Sequence, residues 1–545
     1  MFNMKLIPHT NNLQPELRKG FIAVVIYYIL LLLFVSTGIY VRLLDYSSKP
    51  LWYDEAWRAI LMCNPVELFK DHSFFTGSCS VGYILLNSVI AVIYNTDYTL
   101  RLTSLIPSII SVILVYVIAL QLTDNKIIHL IAVFSVSLNP ALVFFAKELK
   151  PYSLELMLHL VNILLLLLYL KDKSFHNLAI LIGCAYFTLY FATNIIFLYP
   201  VIFLMAGFYS IRNKNWKHLT FIGVSWCICL ISISFLYIVL LYKAPSIGEL
   251  GNTTKNLFYL KGEAGKPFSF TGFSQWIFYS FKEIIVKFNS QKIFFNQPEI
   301  FKSINNIIIP ALFLLGIIAS IIKKEYKYLI IFILPVLTVI LFALPLPAKW
   351  PFGWSRINIF MFGYFFFIGM LGLNYLLNIS VIKYFTYLYI IIWFVLLVIH
   401  IPLNMDVFRS AVDEDILSPL VYLVDNETRN NTEKELLCVN YGGHKAFQYY
   451  TIYNTVTSKK FKNIIENRDI LIVPNAYNNY NKMDEKMQEV LKQRKNIWFL
   501  YSHLSISEAN LIEKILLKYG LIIKKQHYSG AGIYYCESQI FLAPR

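Results

Sequence analysis

The chain alternates long apolar runs with short polar connectors. Twelve runs stand out, at roughly 21–40, 81–95, 100–122, 127–146, 152–170, 176–191, 195–211, 217–242, 304–323, 327–346, 356–377 and 381–402. A helix needs about 20 apolar residues to cross a hydrocarbon core of roughly 30 Å, and most of these runs suffice. The run 81–95 is short for a span and is expected to lie along the membrane surface. Basic residues punctuate the connectors: Arg18 and Lys19, Lys171 and Lys173, Arg212 with Lys214 and Lys217, and Lys323 with Lys324 and Lys327. The positive-inside tendency puts all four groups on the cytoplasmic side. Counting spans forward from Arg18 and backward from Lys171 agrees only if 81–95 begins and ends on the same side. Eleven spans are then expected, with a cytoplasmic N-terminus and an extracytoplasmic C-terminal part. The first run is long and lacks a small-residue cleavage site, so it is expected to stay as an anchor.

From about residue 404 the hydrophobicity falls and short strands alternate with amphipathic helices. Strands are expected at Leu436 to Tyr441, Asp469 to Pro474, Asn496 to Ser502 and Leu521 to His527, with a return strand at Gly532 to Cys536. Helices are expected at Ala446 to Tyr453, Met483 to Arg494 and Ser505 to Tyr519, the last stopped by Gly520. Such alternation favours a three-layer α/β unit with a mostly parallel sheet. The expected fold is therefore a polytopic all-α membrane protein with a C-terminal soluble α/β domain, divided as 1–403 and 404–545.

Composition agrees. Of 545 residues, 57% are hydrophobic and only 15% charged, which excludes an ordinary soluble protein. The formal charge of +16 invites a nucleic-acid reading. Residues 404–545 nevertheless carry 18 Lys and Arg against 16 Asp and Glu, so the excess lies at the ends of the apolar runs, not on a hydrophilic basic face. The seven cysteines show no metal-binding spacing. Cys63 with Cys79, and Cys438 with Cys536, share regions in which they could pair, but no bridge is assigned. His129, His159 and His400 lie in or beside apolar runs as packing or hydrogen-bonding residues.

The chemistry concentrates on the outer face. Asp54 and Glu55 follow the first span. Parity places Lys147, Glu148, Lys150 and Tyr152 on the same side, and with them Lys349 to Arg356. The connector 243–303, with Trp276, Tyr279, Lys282 and Lys287, suits an interfacial amphipathic helix. Arginine and lysine hold phosphate oxygens by charge-assisted hydrogen bonds, and a carboxylate can deprotonate a hydroxyl nucleophile. Gathered at one membrane face, these groups suit a substrate that is part lipid and part polar with a phosphate between, as in sugar transfer from a polyprenyl phosphate. The same charges also suit helix-end anchors that snorkel to the interface. Gly442-Gly443 at a strand-to-helix junction could admit an anion, although it is not a nucleotide-binding pattern.

In these segments the chain resembles a known family. Trp52-Tyr53-Asp54-Glu55, Arg101-Leu102, Glu148-Leu149-Lys150-Pro151-Tyr152-Ser153 and Pro351-Phe352-Gly353-Trp354-Ser355-Arg356 are similar, in order, to motifs of the RgtA/B/C/D-like glycosyltransferases of the GT-C superfamily, relatives of protein mannosyltransferases and lipid A aminoarabinose transferases. The likeness continues more weakly through Tyr441 to Phe447, Tyr449-Tyr450 and Trp498 to His503. It implies a GT-C fold and an inverting hexosyl or pentosyl transfer from a polyprenyl-phosphate sugar to a glycan, lipid or protein acceptor. The setting would be the outer face of the inner (plasma) membrane. Asp54 would be the base, with Glu55 beside it, and Arg101, Lys147, Glu148, Lys150, Tyr152 and Arg356 would bind donor phosphate or substrate. No cofactor is firmly implied, and a divalent metal is left open. The chain departs from the family in carrying Cys79-Ser80-Val81-Gly82 where many members have His-Pro-Pro.

A transporter or flippase of lipid-linked glycans is the competing reading. It calls for internal repeats and for charged or broken helices near the bilayer midplane. A receptor or assembly protein would have no need for the acidic and basic clusters to converge.

Overall fold

The computed structural model describes residues 15–46, 48–64, 80–236, 271–272, 275–276, 280, 299–343, 358–403, 414–426, 434–474, 480–494, 496–503 and 506–538. The connector 243–303 falls almost wholly outside these, as do Cys79 and the segment Pro351 to Arg356.

The helices follow the apolar runs. Five described segments are long and apolar enough to cross a membrane: Gly20–Leu43, Asp97–Leu122, Tyr152–Lys171, Thr193–Arg212 and Trp216–Phe235. The run expected at 127–146 is broken into Lys126–Ser137 and Pro140–Ala146, bent by 51°. Asn139 caps the second piece through its side chain, and Pro140 follows at the first helical position, where its missing N–H costs nothing. Shorter apolar helices, of 10–17 residues, lie on the remaining expected runs at Phe175–Leu189, Ile307–Ile322, Tyr326–Leu341, Met361–Leu377 and Ile382–Ile392. The chain is a multi-pass membrane protein. Its first helix, α1 (Pro15–Leu43), carries many exposed apolar side chains, including Ile29 and Leu32, as a lipid-facing surface requires.

One helix pair shows how closely the bundle packs. A Cβ on Gly316 would fall 2.0 Å from the Ile368 carbonyl oxygen, and one on Gly372 would fall 2.0 Å from that of Leu312. Glycine at both crossing points lets the helices Glu299–Ile322 and Met361–Leu377 touch backbone to backbone. Elsewhere, the turns after Arg212 and Ile322 share one form: Lys214 and Lys324 both adopt left-handed backbone (φ 52° and 56°), and Asn215 N and Glu325 N reach back to the carbonyls of Ser210 and Ser320. The two basic connectors thus close alike.

Between α1 and the next long helix the described residues form two short ones, α2 (Tyr53–Cys63) and α3 (Val81–Ile93). At 13 residues α3 is too short to span, as its sequence implied. The long helix α4 (Asp97–Leu122) opens with a capping box between Thr96 and Thr99. The broken pair is α5 (Lys126–Ser137) and α6 (Pro140–Ala146), and α7 (Tyr152–Lys171) follows.

The C-terminal strands are β1 (Glu435–Asn440), β2 (Arg468–Val473), β3 (Asn496–Ser502), β4 (Gly520–Tyr528) and β5 (Ala531–Ser538). They form one sheet in the order β2-β1-β3-β5-β4. The β1–β2 and β1–β3 pairs are parallel, whereas β3–β5 and β5–β4 are antiparallel, so the sheet is mixed and not mostly parallel. The physical reason is the tight β4–β5 hairpin: Gly530 takes φ 63° and turns the chain back, and β5 then fits between β3 and β4. On one face, Leu436, Cys438, Phe499 and Tyr534 pack under the helices Tyr480–Gln493 and Ile506–Tyr519. The other face, with Leu437, Val439, Trp498 and Leu500, shares a core with Ala56, Ile60, Tyr83, Leu100 and Leu149 of the membrane part. Cys438 and Cys536 are buried free thiols in the first of these cores.

Candidate active site

Helix α2 carries the acid pair, and its two carboxylates meet different surroundings. Glu55 is fully buried. Its Oε2 pairs with Arg101 Nη2 at 2.6 Å, while Oε1 accepts from Arg101 Nε at 3.2 Å and from the backbone N–H of Leu149. Burial pushes this carboxyl up, but the Arg101 guanidinium and the nearby Lys49 outweigh it and hold the group below its ordinary range. Arg101 is itself wholly buried and also donates to the carbonyls of Lys49 and Pro50. The pair is a clamp that ties α2, α4 and the segment before α7 together; neither member is open to a substrate.

Asp54, one residue earlier, points elsewhere. Its Oδ2 lies 2.9 Å from Lys150 Nζ, and its side chain keeps 25% exposure against 1% for the lysine. The same ammonium stands 4.5 Å from the centre of the Trp52 ring. Glu148 completes this layer: Oε1 takes Lys49 Nζ at 2.7 Å and Oε2 takes Trp52 Nε1 at 3.1 Å. Burial pushes Lys49 down, yet Glu148 and Glu55 more than offset this and leave it above its ordinary value. The residues from Glu148 to Lys150 thus interleave with α2, Glu148 reaching Trp52, Leu149 reaching Glu55 and Lys150 reaching Asp54.

The other expected site residues are placed less centrally. Lys147 turns away and donates to the Leu44 carbonyl at the end of α1; burial pushes its ammonium down to about 8. Tyr152 is buried in the bundle core, edge-on to Phe145 at 5.2 Å. Arg356 lies outside the described residues. Among the described residues no group of three or more His, Cys, Asp or Glu is placed to hold a metal ion. Nor is there an anion cradle at Gly442-Gly443. The helix that follows, His444–Gln448, has five residues, and Asn440 Oδ1 already takes the N–H groups of Gly443 and Ser502 at 3.0 Å. A Cβ on Gly443 would come within 2.8 Å of that oxygen, so glycine serves close packing there.

Several residues that sequence reasoning missed complete the site. Tyr450 OH donates to Asp97 Oδ2 and accepts from the Leu51 N–H, joining the C-terminal part to α4 and to the approach to α2. Burial, then the nearby Asp97, raises this phenol well above its ordinary value. Asn95 forms a short ladder with Tyr453 and Thr455. Asp97 stands four residues before Arg101, one helical turn, which was a readable signal; Tyr450 was legible only as part of a weak motif.

Deeper in the bundle, Glu155 accepts from Asn194 Nδ2 at 2.9 Å, Asn194 Oδ1 meets His159 Nε2 at 3.0 Å, and His159 Nδ1 meets Tyr364 OH at 2.6 Å. All four are buried, so His159 is the hydrogen-bonding residue expected of it. Arg42 is also fully buried, and its guanidinium donates to the carbonyls of Gly38, Val136 and Ser137 and to Ser108 Oγ. It thereby satisfies the carbonyls freed where α5 breaks.

No known family description matches the chain, and no curated protein matches it. Solved structures that align with it include ArnT from Cupriavidus metallidurans in the apo state, at 8% identity over 92% of this chain and 97% of that one, with a TM-score of 0.46. The structure of ArnT from the same organism bound to undecaprenyl phosphate aligns at 8% identity over the same shares, with a TM-score of 0.40.

Proposed function

We propose that the protein is a GT-C-type glycosyltransferase that moves a sugar from a polyprenyl-phosphate donor to an acceptor hydroxyl at the extracytoplasmic face of the plasma membrane. The observation that carries this reading is the division of labour within the acid pair: Glu55 is sealed into a clamp, while Asp54 stays partly open beside a buried lysine. In this reading Asp54 takes the proton of the acceptor hydroxyl as its oxygen attacks the anomeric carbon. The bond from that carbon to the phosphate oxygen breaks, configuration inverts, and the polyprenyl phosphate leaves with the electron pair. Lys150 holds Asp54 in place, and with Arg356 supplies positive charge for the departing phosphate. Glu55 and Arg101 position α2. The basic turns at Lys214 and Lys324 support a cytoplasmic side opposite to Asp54, with the unit after residue 404 outside.

The test is a full-length protein reconstituted in vesicles with polyprenyl-phosphate hexoses and pentoses, and a membrane extract as acceptor source. Release of polyprenyl phosphate by wild type and its loss in Asp54→Asn are expected. No release with any of these donors overturns the reading. The buried chain Glu155–Asn194–His159–Tyr364 favours the second reading, a transporter of lipid-linked glycans, because ionisable groups within spans mark translocation paths. Transbilayer movement of a lipid-linked glycan in the same vesicles, without transfer, would select it.

A further inference from the structure

Helix α2 has no side-chain cap of its own, since Trp52 at its N-cap supplies none. The cap comes from the other end of the chain: Glu414 Oε2 accepts the Tyr53 N–H at 3.0 Å. The second oxygen of Glu414 pairs with His503 Nδ1. The His503 ring in turn stacks on Tyr53 (5.5 Å, 22°) and on Trp52 (6.2 Å, 28°), the same indole that carries the Lys150 ammonium. His503 is held there in left-handed backbone, φ 60°, with its N–H on the Gly530 carbonyl. A non-glycine residue adopts that conformation at an energetic cost, and such outliers gather where geometry serves function.

We propose that Glu414 and His503 form a positioning pair that caps the acid-bearing helix from the C-terminal part of the chain, so that the charge state of His503 governs how well Asp54 is held for transfer. This rests on the transferase reading for its catalytic consequence and on geometry alone for its structural one. The charged and titratable groups facing His503 are Glu414, Asp54 and Tyr53, with Glu508 from the helix that follows. Its hydrogen bond to Glu414 raises the imidazole above its ordinary value, with Asp54 adding to the effect. A raised imidazole stabilises the docked state fully below the unfolded value, about 6.5, and the stabilisation is lost as pH rises through the folded value. The pair therefore tightens in mild acid and loosens in base.

Two arms test this on the full-length protein. The first is hydrogen exchange of the peptide covering residues 51–60, corrected for the intrinsic effect of pH. Protection is expected to fall with rising pH in wild type, and to be lower and pH-independent in His503→Gln and Glu414→Gln. The second is donor kinetics in the vesicle assay. Each variant is expected to lower kcat about tenfold at unchanged donor KM and to lose the basic limb of the pH profile, with the double variant no worse than either single, as for residues acting as one unit. Unchanged exchange in both variants overturns the proposal. Changed exchange with wild-type kinetics and pH profile overturns its link to transfer. If wild type transfers nothing, the transferase reading fails while the exchange arm still decides the capping.

Discussion

Lys150 Nζ lies 2.9 Å from Asp54 Oδ2, and the two partners are unequal: the lysine side chain is 1% exposed and the aspartate 25%. Removing the carboxylate takes the Asp54 charge away from a buried ammonium, whereas an amide still offers it an oxygen. Asp54→Asn is therefore expected to fold and insert, yet to lose about 10²- to 10⁴-fold in turnover, the usual loss on removing a general base. Asp54→Ala should also lower the thermal midpoint. Near-normal transfer by Asp54→Asn would move the base elsewhere.

The Glu55–Arg101 clamp predicts a different signature. Removing one partner strands a fully buried charge, at about 3–5 kcal/mol, while replacing both with apolar residues of similar volume costs much less. Glu55→Met and Arg101→Met should each unfold at markedly lower temperature than the double variant in a detergent melt. A double variant less stable than either single would contradict the clamp.

Tyr450 bridges Leu51 and Asp97 through one hydroxyl. Tyr450→Phe keeps the ring, strands the buried Leu51 N–H at about 1–3 kcal/mol and takes one hydrogen bond from the half-buried Asp97. Limited proteolysis should then release the C-terminal part more readily, with the membrane helices unaffected. Equal protease resistance in wild type and variant would show that the hydroxyl does not fasten the two parts.

A pH effect follows from Lys147. Burial lowers its folded value to about 8 from an ordinary 10.5, so the folded protein bears the cost of charging it at neutral pH. Stability from this group is complete above 10.5, falls as pH drops toward 8, and levels off below. Wild type should therefore gain stability between those values relative to Lys147→Met, as read by the difference in their melting curves. Parallel curves would mean that the lysine is not buried as described.

Much of the architecture was legible because lipid imposes one rule on every span, an apolar run of sufficient length. The short α3 was legible for the same reason. The break between α5 and α6 was not, since Asn139-Pro140 interrupts an otherwise apolar stretch and Arg42, far away in sequence, satisfies the freed carbonyls. In the C-terminal part, strands fell within a residue or two of their expected places, but the helices Leu417–Asp425 and Thr457–Glu466 were missed. The mixed strand direction was missed too, because a hairpin return is settled by turn geometry and not by alternation. At the site, Asp54, Glu55, Glu148 and Lys150 were readable as charges at membrane boundaries. Their partners were not. The bonds from Tyr53 to Glu414 and from Leu51 to Tyr450 join positions 361 and 399 residues apart, and no local period reports such a contact.

That separation has a consequence for how the protein is made. Domains generally fold in the order in which they leave the ribosome, and α2 leaves early while its cap, Glu414, arrives some 360 residues later. The acid-bearing helix gains its ties to Arg101, Leu149 and Lys150 early, but the Tyr53 N–H waits for its acceptor until every later span has been made. Biogenesis itself thus works as a delay: the acid-bearing helix of a nascent chain stays without its cap until the last quarter of the polypeptide has been made.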